Sequence, residues 1–157
     1  MDFGPVLLNK RHNRENNGGM IRKTTETFQL ATAVLFQTPI QNFGITPNNL
    51  TEMPAYVIDF MKQIPTIWEE TILIDGYPGK YVVLARRHAD RWYIAGINAE
   101  KTAKELTLKL PMLSGDQWEL YQDNKDRSAR HQVFNSKKDK SLKITLEPDG
   151  GFIIVGQ

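Results

Sequence analysis

The sequence predicts an α+β chain in which a helical first part gives way to an antiparallel β-sandwich. Three observations predict it. Apolar residues recur at helical spacing up to Ile64, then alternate with polar ones at a period of two from Trp68 onward. Turn signals at Asp75-Gly76, Pro78-Gly79, Ser114-Gly115-Asp116 and Asp149-Gly150-Gly151 punctuate the second part. Pro65 stands between the two regimes.

Residues 6–23 read as a polar loop holding Asn9, Arg11, His12, Arg14 and the flexible Asn16-Asn17-Gly18-Gly19. Thr24 or Thr25 is placed to cap a helix, its hydroxyl accepting from an orphan backbone N–H. Phe28, Ala31 and Leu35 then fall at i, i+3 and i+7, a buried helical face. Ala33-Val34-Leu35-Phe36 is short and rich in strand formers, so the helix is expected to hand over to a buried strand ending near Pro39. A long loop with Pro47, Asn48 and Asn49 follows. Thr51 can cap a second helix with Pro54 in its first turn, where a missing N–H costs nothing. Val57, Phe60, Met61 and Ile64 make its apolar side, and Pro65 ends it.

Beyond the proline, strands are expected at residues 69–75, 80–87, 91–98, 103–110, 117–122, 130–135, 141–147 and 151–156. Leu106, Leu108 and Leu110 alternate with Thr107 and Lys109, and Leu142, Ile144 and Leu146 with Lys143 and Thr145. That is the pattern of strands with one buried and one wet face, and seven or eight of them at roughly ten-residue spacing make a sandwich. The first part cannot be a closed unit in the same way. An eight-stranded α/β barrel needs about 250 residues. The order strand, loop, helix, strand, loop, helix fits instead the last βα units of an incomplete (β/α)8 barrel. The domain reading is therefore 1–65 for the barrel remnant and 66–157 for the sandwich. The sandwich is expected to fold alone. The first 65 residues are expected to be the weaker part, with an unpaired strand edge at Ala33–Phe36 and helical faces that lack partners.

Composition excludes several function classes. The 157 residues carry a net charge of +2, too small to argue for nucleic acid. Basic residues are scattered, apart from Lys137, Lys138 and Lys140 in one predicted turn. There is no cysteine, so disulfides, thiolate catalysis and Cys-ligated zinc are out. No apolar run approaches the length that spans a membrane. Met1-Asp2-Phe3-Gly4-Pro5 does not read as a secretory signal; an exported protein would have lost one with whatever preceded Met1.

Several segments, taken in order, carry a resemblance. Met1-Asp2-Phe3-Gly4-Pro5 is similar to an internal Met-Asp-aromatic-Thr-Pro segment, with Gly4 in place of Thr. Thr38-Pro39-Ile40-Gln41 is similar to a Ser-Pro-Leu-Gln at the end of a last barrel strand. Pro65-Thr66-Ile67-Trp68-Glu69-Glu70-Thr71 resembles a seam between barrel and sandwich. Tyr81-Val82-Val83, Ala85-Arg86-Arg87 and Trp92-Tyr93-Ile94-Ala95-Gly96 resemble a hairpin of that sandwich. The family they resemble is glycoside hydrolase family 97, bacterial α-glucosidases and α-galactosidases with a C-terminal β-sandwich. The resemblance implies that this chain is the C-terminal portion of such an enzyme, with Met1 an internal methionine or the start of a truncated reading frame. It implies calcium as the parent's cofactor, with the calcium-binding glutamates and the catalytic carboxylates upstream of the segment matching Met1. It implies as partners the rest of the barrel, an α-linked oligosaccharide and a second copy in a homo-oligomer, with a periplasmic location.

No catalytic residue and no metal ligand is therefore assigned, and the chain alone is expected to be inactive. Glycoside hydrolysis needs two carboxyl groups about 5–10 Å apart across the scissile bond. Asp2 is the one acid with a positional argument, since the C-terminal ends of barrel strands face the active site. Arg11 and His12, in the first loop, suit contacts to sugar hydroxyls. Asp2, Arg11 and His12 are the substrate-binding candidates. Glu26 and Glu52 read as helix-terminal charges, Asp59 as a solvated one, and Glu15 as a loop residue. Glu69 and Glu70 are adjacent on a strand and point to opposite faces, so they cannot straddle one bond; one is expected to bond to barrel backbone or a basic side chain while Trp68 packs at the seam. His12, His88 and His131 are too dispersed for a local metal motif, and His88 reads as an exposed turn residue. The alternative function is a free-standing carbohydrate-binding sandwich, with Trp92, Tyr93, Trp118 and Tyr121 as its stacking platform; core packing is the competing use of these rings.

Overall fold

Alternation builds the second part. The structure, a computed structural model, describes residues 4–5, 22–36, 38–135 and 138–157. Eight strands form: β1 Glu70–Tyr77, β2 Tyr81–His88, β3 Arg91–Asn98, β4 Lys104–Lys109, β5 Gln117–Asp123, β6 Ala129–Asn135, β7 Ser141–Leu146 and β8 Gly151–Gly156. Each overlaps its expected range, and every pairing is antiparallel. Six strands make one sheet in the order β1-β2-β3-β8-β5-β6, and β4 and β7 make a second. Val83, Ile94, Trp118, Leu120, Phe152 and Ile154 of the large sheet meet Leu106, Leu108, Ile144 and Leu146 of the small one, giving a dry sandwich core. A β-sandwich is thus the architecture of this part.

The large sheet has a second apolar face. Tyr93, Ala95, Tyr121, Ile153 and Val155 point away from the sandwich core and pack under helices. The helices are α1 Glu26–Leu35, α2 Pro47–Glu52 and α3 Ala55–Gln63. Leu30, Ala31, Val34 and Leu35 of α1, with Val57 and Phe60 of α3, complete this second core. Covering both faces explains β8, buried at all six positions, and why Phe152-Ile153-Ile154-Val155 is unbroken by polar residues. Each large side chain so buried contributes about 1.5–3 kcal/mol, so Leu30, Val34, Leu35, Val57 and Phe60 together form a substantial bond between the two parts. Residues on both sides of Pro65 therefore share one core.

Four expectations for the first part are overturned. Ala33–Leu35 is the last turn of α1, not the start of a strand. The neighbouring sheet offers an apolar face, and helical spacing lays Leu30, Ala31, Val34 and Leu35 on it together, which outweighs the strand propensity of a short run. For the same reason the helical faces are not left without partners; Phe28, expected on the buried face, is only half-buried. The reading of Pro47-Asn48-Asn49 as loop is also corrected. Pro47 opens α2, with the Thr46 N–H donating to Asn49 Oδ1 at 3.0 Å and the Asn49 N–H donating to the Thr46 carbonyl at 2.8 Å. Thr51 lies inside α2 rather than capping α3, which starts after Pro54. Among the described residues no helix is long and apolar enough to cross a membrane.

Candidate functional site

The joint between helices and sheet is the most elaborated polar feature of the described residues. At its centre is Asp123, the last residue of β5, only 3% exposed. Its Oδ2 accepts from the Thr25 hydroxyl at 2.7 Å and from the Gly151 N–H at 2.8 Å. Thr25 is at the same time the N-cap of α1, accepting from the Phe28 N–H at 3.0 Å as its sequence position predicts. Its own N–H donates to the Asp149 carbonyl at 3.1 Å. One carboxylate thereby ties the start of α1 to the end of β5 and the start of β8. Burial pushes the Asp123 carboxyl above the usual carboxylate range, against the opposing pull of the Gly151 N–H and the Thr25 hydroxyl. Space is tight: a Cβ on Gly150 would lie 2.8 Å from Asp123 Oδ2, and one on Gly151 2.9 Å from the Phe28 Cα. Arg22 pairs with Glu26 at 3.2 Å, and Arg127 donates to the Lys23 carbonyl, so the helix entrance is fixed on both flanks.

A second joint holds α3. Tyr56 stacks on His131 at 5.3 Å and His131 on Tyr121 at 4.5 Å, with Phe60 tilted against Tyr121 at 5.0 Å. The Tyr121 hydroxyl donates to Glu119 Oε2 at 3.0 Å, while Arg91 reaches Glu119 Oε1 at 3.2 Å. Burial, then the Glu119 charge, holds the Tyr121 phenol protonated far above its ordinary range. The third joint is the link itself. Trp68 packs edge-on against Tyr93 at 5.3 Å, and the buried Arg86 guanidinium lies 5.9 Å from the Trp68 ring. Glu69 Oε2 accepts from the Ala89 N–H at 3.1 Å, and Glu70 pairs with Arg87 at 3.3 Å. Trp68 thus packs at the link between helices and sheet, Glu70 takes the basic side chain expected of one glutamate, and Glu69 bonds to backbone of the β2–β3 hairpin.

Asp2, Arg11 and His12 lie outside the described residues, as does Glu15. Glu26 is the first residue of α1 and Asp59 is paired with Lys62 at 3.6 Å. His88 is exposed at the hairpin turn, its Nδ1 3.0 Å from the Ile67 carbonyl. Trp92, Tyr93, Trp118 and Tyr121 are all buried, so no stacking platform can be made of them. A cleft of about 690 Å3 is lined by Asp90, Arg91, Asp116, Gln117, Glu119 and Val133, among others. Glu119 is engaged there by Arg91 and Tyr121, Asp90 accepts from Gln157 at 3.3 Å, and Asp116 is fully in solvent. Among the described residues no group of three His, Asp or Glu side chains is placed to hold a metal ion.

Asp123 escaped sequence reasoning. It sits in Gln122-Asp123-Asn124-Lys125, a polar run that reads as an ordinary turn, and its partners are distant in sequence. The only local hint is a polar residue ending a strand beside buried Leu120 and Tyr121.

Comparison with known proteins places these features. Residues 67–156 match a family model described as glycosyl-hydrolase 97 C-terminal, oligomerisation. A retaining α-galactosidase of Bacteroides thetaiotaomicron is 36% identical over 137 residues, covering 83% of this chain and 20% of the relative. A probable retaining α-galactosidase of Streptomyces bingchenggensis is 30% identical over 160 residues, covering 99% of this chain and 23% of the relative. The chain thus spans a fifth to a quarter of these curated relatives. A crystal structure of a β-arabinopyranosidase is 49% identical with a TM-score of 0.91, over 99% of this chain and 25% of that one. A glycoside hydrolase family 97 enzyme from Pseudoalteromonas sp. strain K8, in complex with acarbose, shares the fold at a TM-score of 0.80 and 24% identity, over 96% of this chain and 25% of that one.

Proposed function

The chain belongs to glycoside hydrolase family 97, whose C-terminal oligomerisation domain it carries, and from that premise we propose that it serves a longer glycosidase as a structural and oligomerising brace. In this reading the helical first part is the end of the catalytic barrel, and the sandwich holds it from outside. The observation that carries the proposal is the doubly covered sheet: α1 and α3 are anchored to it through apolar side chains, and α1 also through Asp123. Support for the barrel comes from the segment between α1 and α3. The Gly44 N–H donates to the Pro5 carbonyl at 2.8 Å, as neighbouring barrel segments do, and Ile40, Ile45 and Leu50 are 55%, 37% and 58% exposed. Those side chains are where the rest of a barrel would dock.

The parent reaction is hydrolysis of an α-galactoside-type bond. Similarity to retaining α-galactosidases and to a β-arabinopyranosidase supports this choice over a glucoside. An α-D-galactopyranoside and a β-L-arabinopyranoside share their ring configuration and differ by a hydroxymethyl group, so one pocket shape can take both. The catalytic carboxylates and calcium ligands belong to the parent's upstream residues, and this chain supplies none. Aryl α-galactoside, aryl α-glucoside and aryl β-L-arabinopyranoside should all remain unhydrolysed by the purified chain, with or without calcium. Calcium-dependent turnover abolished by Asp2→Ala would overturn the proposal.

A further inference from the structure

We propose that the outer face of β1 and β2, at their hairpin, is where two copies of this chain pair about a two-fold axis. This rests on the oligomerising role proposed above and locates it. β1 is an edge strand of the large sheet, and α1 lies over β3, β8 and β5, leaving the β1–β2 end of the same face clear of it. There Leu73 is 66% and Tyr77 60% exposed, beside a cleft of about 340 Å3 lined by Leu73, Tyr77, Pro78, Val82 and Ile97.

Three observations choose a second copy as the occupant. The matched segment, 67–156, is the one described as oligomerising. Within it the large apolar side chains that stand exposed are Ile67, Leu73, Tyr77 and Val133. Leu73 and Tyr77 lie on β1 beside the cleft, Ile67 precedes β1 at the other end of that strand near His88, and Val133 sits on β6, the opposite edge, among Arg130, His131 and Gln132. The patch is also nearly uncharged. Its one cation, Lys80, lies over the Tyr77 ring at 5.0 Å and can stay at the rim, so like can meet like without burying an unpaired charge. An isologous interface needs a surface that complements itself. Here an exposed ring at the hairpin tip borders the apolar cleft, so Tyr77 of each copy can reach the other's cleft. The bulge between Leu73 and Asp75 interrupts the ladder of β1 and disfavours simple edge-to-edge strand pairing, which leaves side-chain contact across the face.

Sedimentation velocity on the whole chain tests this. The wild type should self-associate reversibly. Leu73→Asp/Tyr77→Ser should weaken association at least about thirty-fold with its thermal transition retained, as expected for truncating central anchors. Ile45→Asp/Leu50→Asp, on the proposed barrel-facing surface, should associate like the wild type. Because the chain has no cysteine, Tyr77→Cys gives an independent reading. A short thiol-specific cross-linker should couple it into dimers and should not couple Val133→Cys. Association of Leu73→Asp/Tyr77→Ser at wild-type strength, or its loss in Ile45→Asp/Leu50→Asp, would overturn this location and leave the oligomerising role standing. A wild type that stays monomeric at its highest soluble concentration would overturn both.

Discussion

Removing the Asp123 carboxylate tests how α1 is held to the sheet. Asp123→Ala strands two donors, the Thr25 hydroxyl at 2.7 Å and the Gly151 N–H at 2.8 Å, in a site that is 3% exposed. A buried donor left without a partner costs about 1–3 kcal/mol. Against this stands the relief of no longer burying a carboxyl group, so the net loss at neutral pH should be about 2–4 kcal/mol, a large share of the stability of a small domain. Asp123→Asn keeps an acceptor oxygen and should lose about half as much. Urea unfolding measured at several pH values separates hydrogen bonding from charge. The native carboxyl has a raised pKa, so the folded state holds this proton more tightly than the unfolded chain does. The group's contribution is fully present below the unfolded aspartate pKa of about 4 and declines as pH rises through the higher native value. Asp123→Asn should therefore flatten the pH dependence of stability across that interval. An Asp123→Ala protein within about 0.5 kcal/mol of wild type, or an Asp123→Asn protein with an unchanged pH profile, would refute the role of this carboxyl as the anchor of α1.

Gly96→Ala should be strongly destabilising, because the new Cβ would meet Phe152 Cε1 at 2.4 Å and Val83 Cγ2 at 3.1 Å in the sandwich core. Overpacking of this kind costs about 1–3 kcal/mol or more, and adding Phe152→Leu should recover part of the lost melting temperature; no recovery would mean the clash is not the cause. Leu30→Ala, at a position 1% exposed, should cost about 2–5 kcal/mol in chemical denaturation. A cost below 1 kcal/mol would mean that α1 rests on the sheet without depending on it.

How much of this was legible in the sequence depends on where each residue's partners lie. The eight strands were readable because alternation and turn residues are local signals, as in Leu106-Thr107-Leu108-Lys109-Leu110. Phe152-Ile153-Ile154-Val155 carried a further message, since a strand apolar at every position must be covered on both faces, and its outer cover is α1 and α3. Ala33-Val34-Leu35 misled because a short apolar run fits a strand or a helix equally well, and the sheet face that decides the matter is formed by residues sixty and more positions away. The same nonlocality hid Asp123. Its place at the end of an apolar strand is a weak hint that turn acids elsewhere share, and its partners Thr25 and Gly151 lie 98 and 28 positions away. The aromatic residues were ambiguous for a different reason. Trp92 and Trp118 have the strand position that either a sugar platform or a core requires, and only their burial decides between the two.

The central claim is that the helical part and the sandwich form one brace, joined through the outer face of the large sheet. Native-state hydrogen exchange, read amide by amide, tests it most directly. If the joint carries the load described, the amides of α1 and α3 open only with those of β3 and β8, at a common free energy equal to that of global unfolding. If α1 and α3 exchange through a separate opening of lower free energy while β3 and β8 stay protected, the helices are passengers on the sandwich and the brace does not exist.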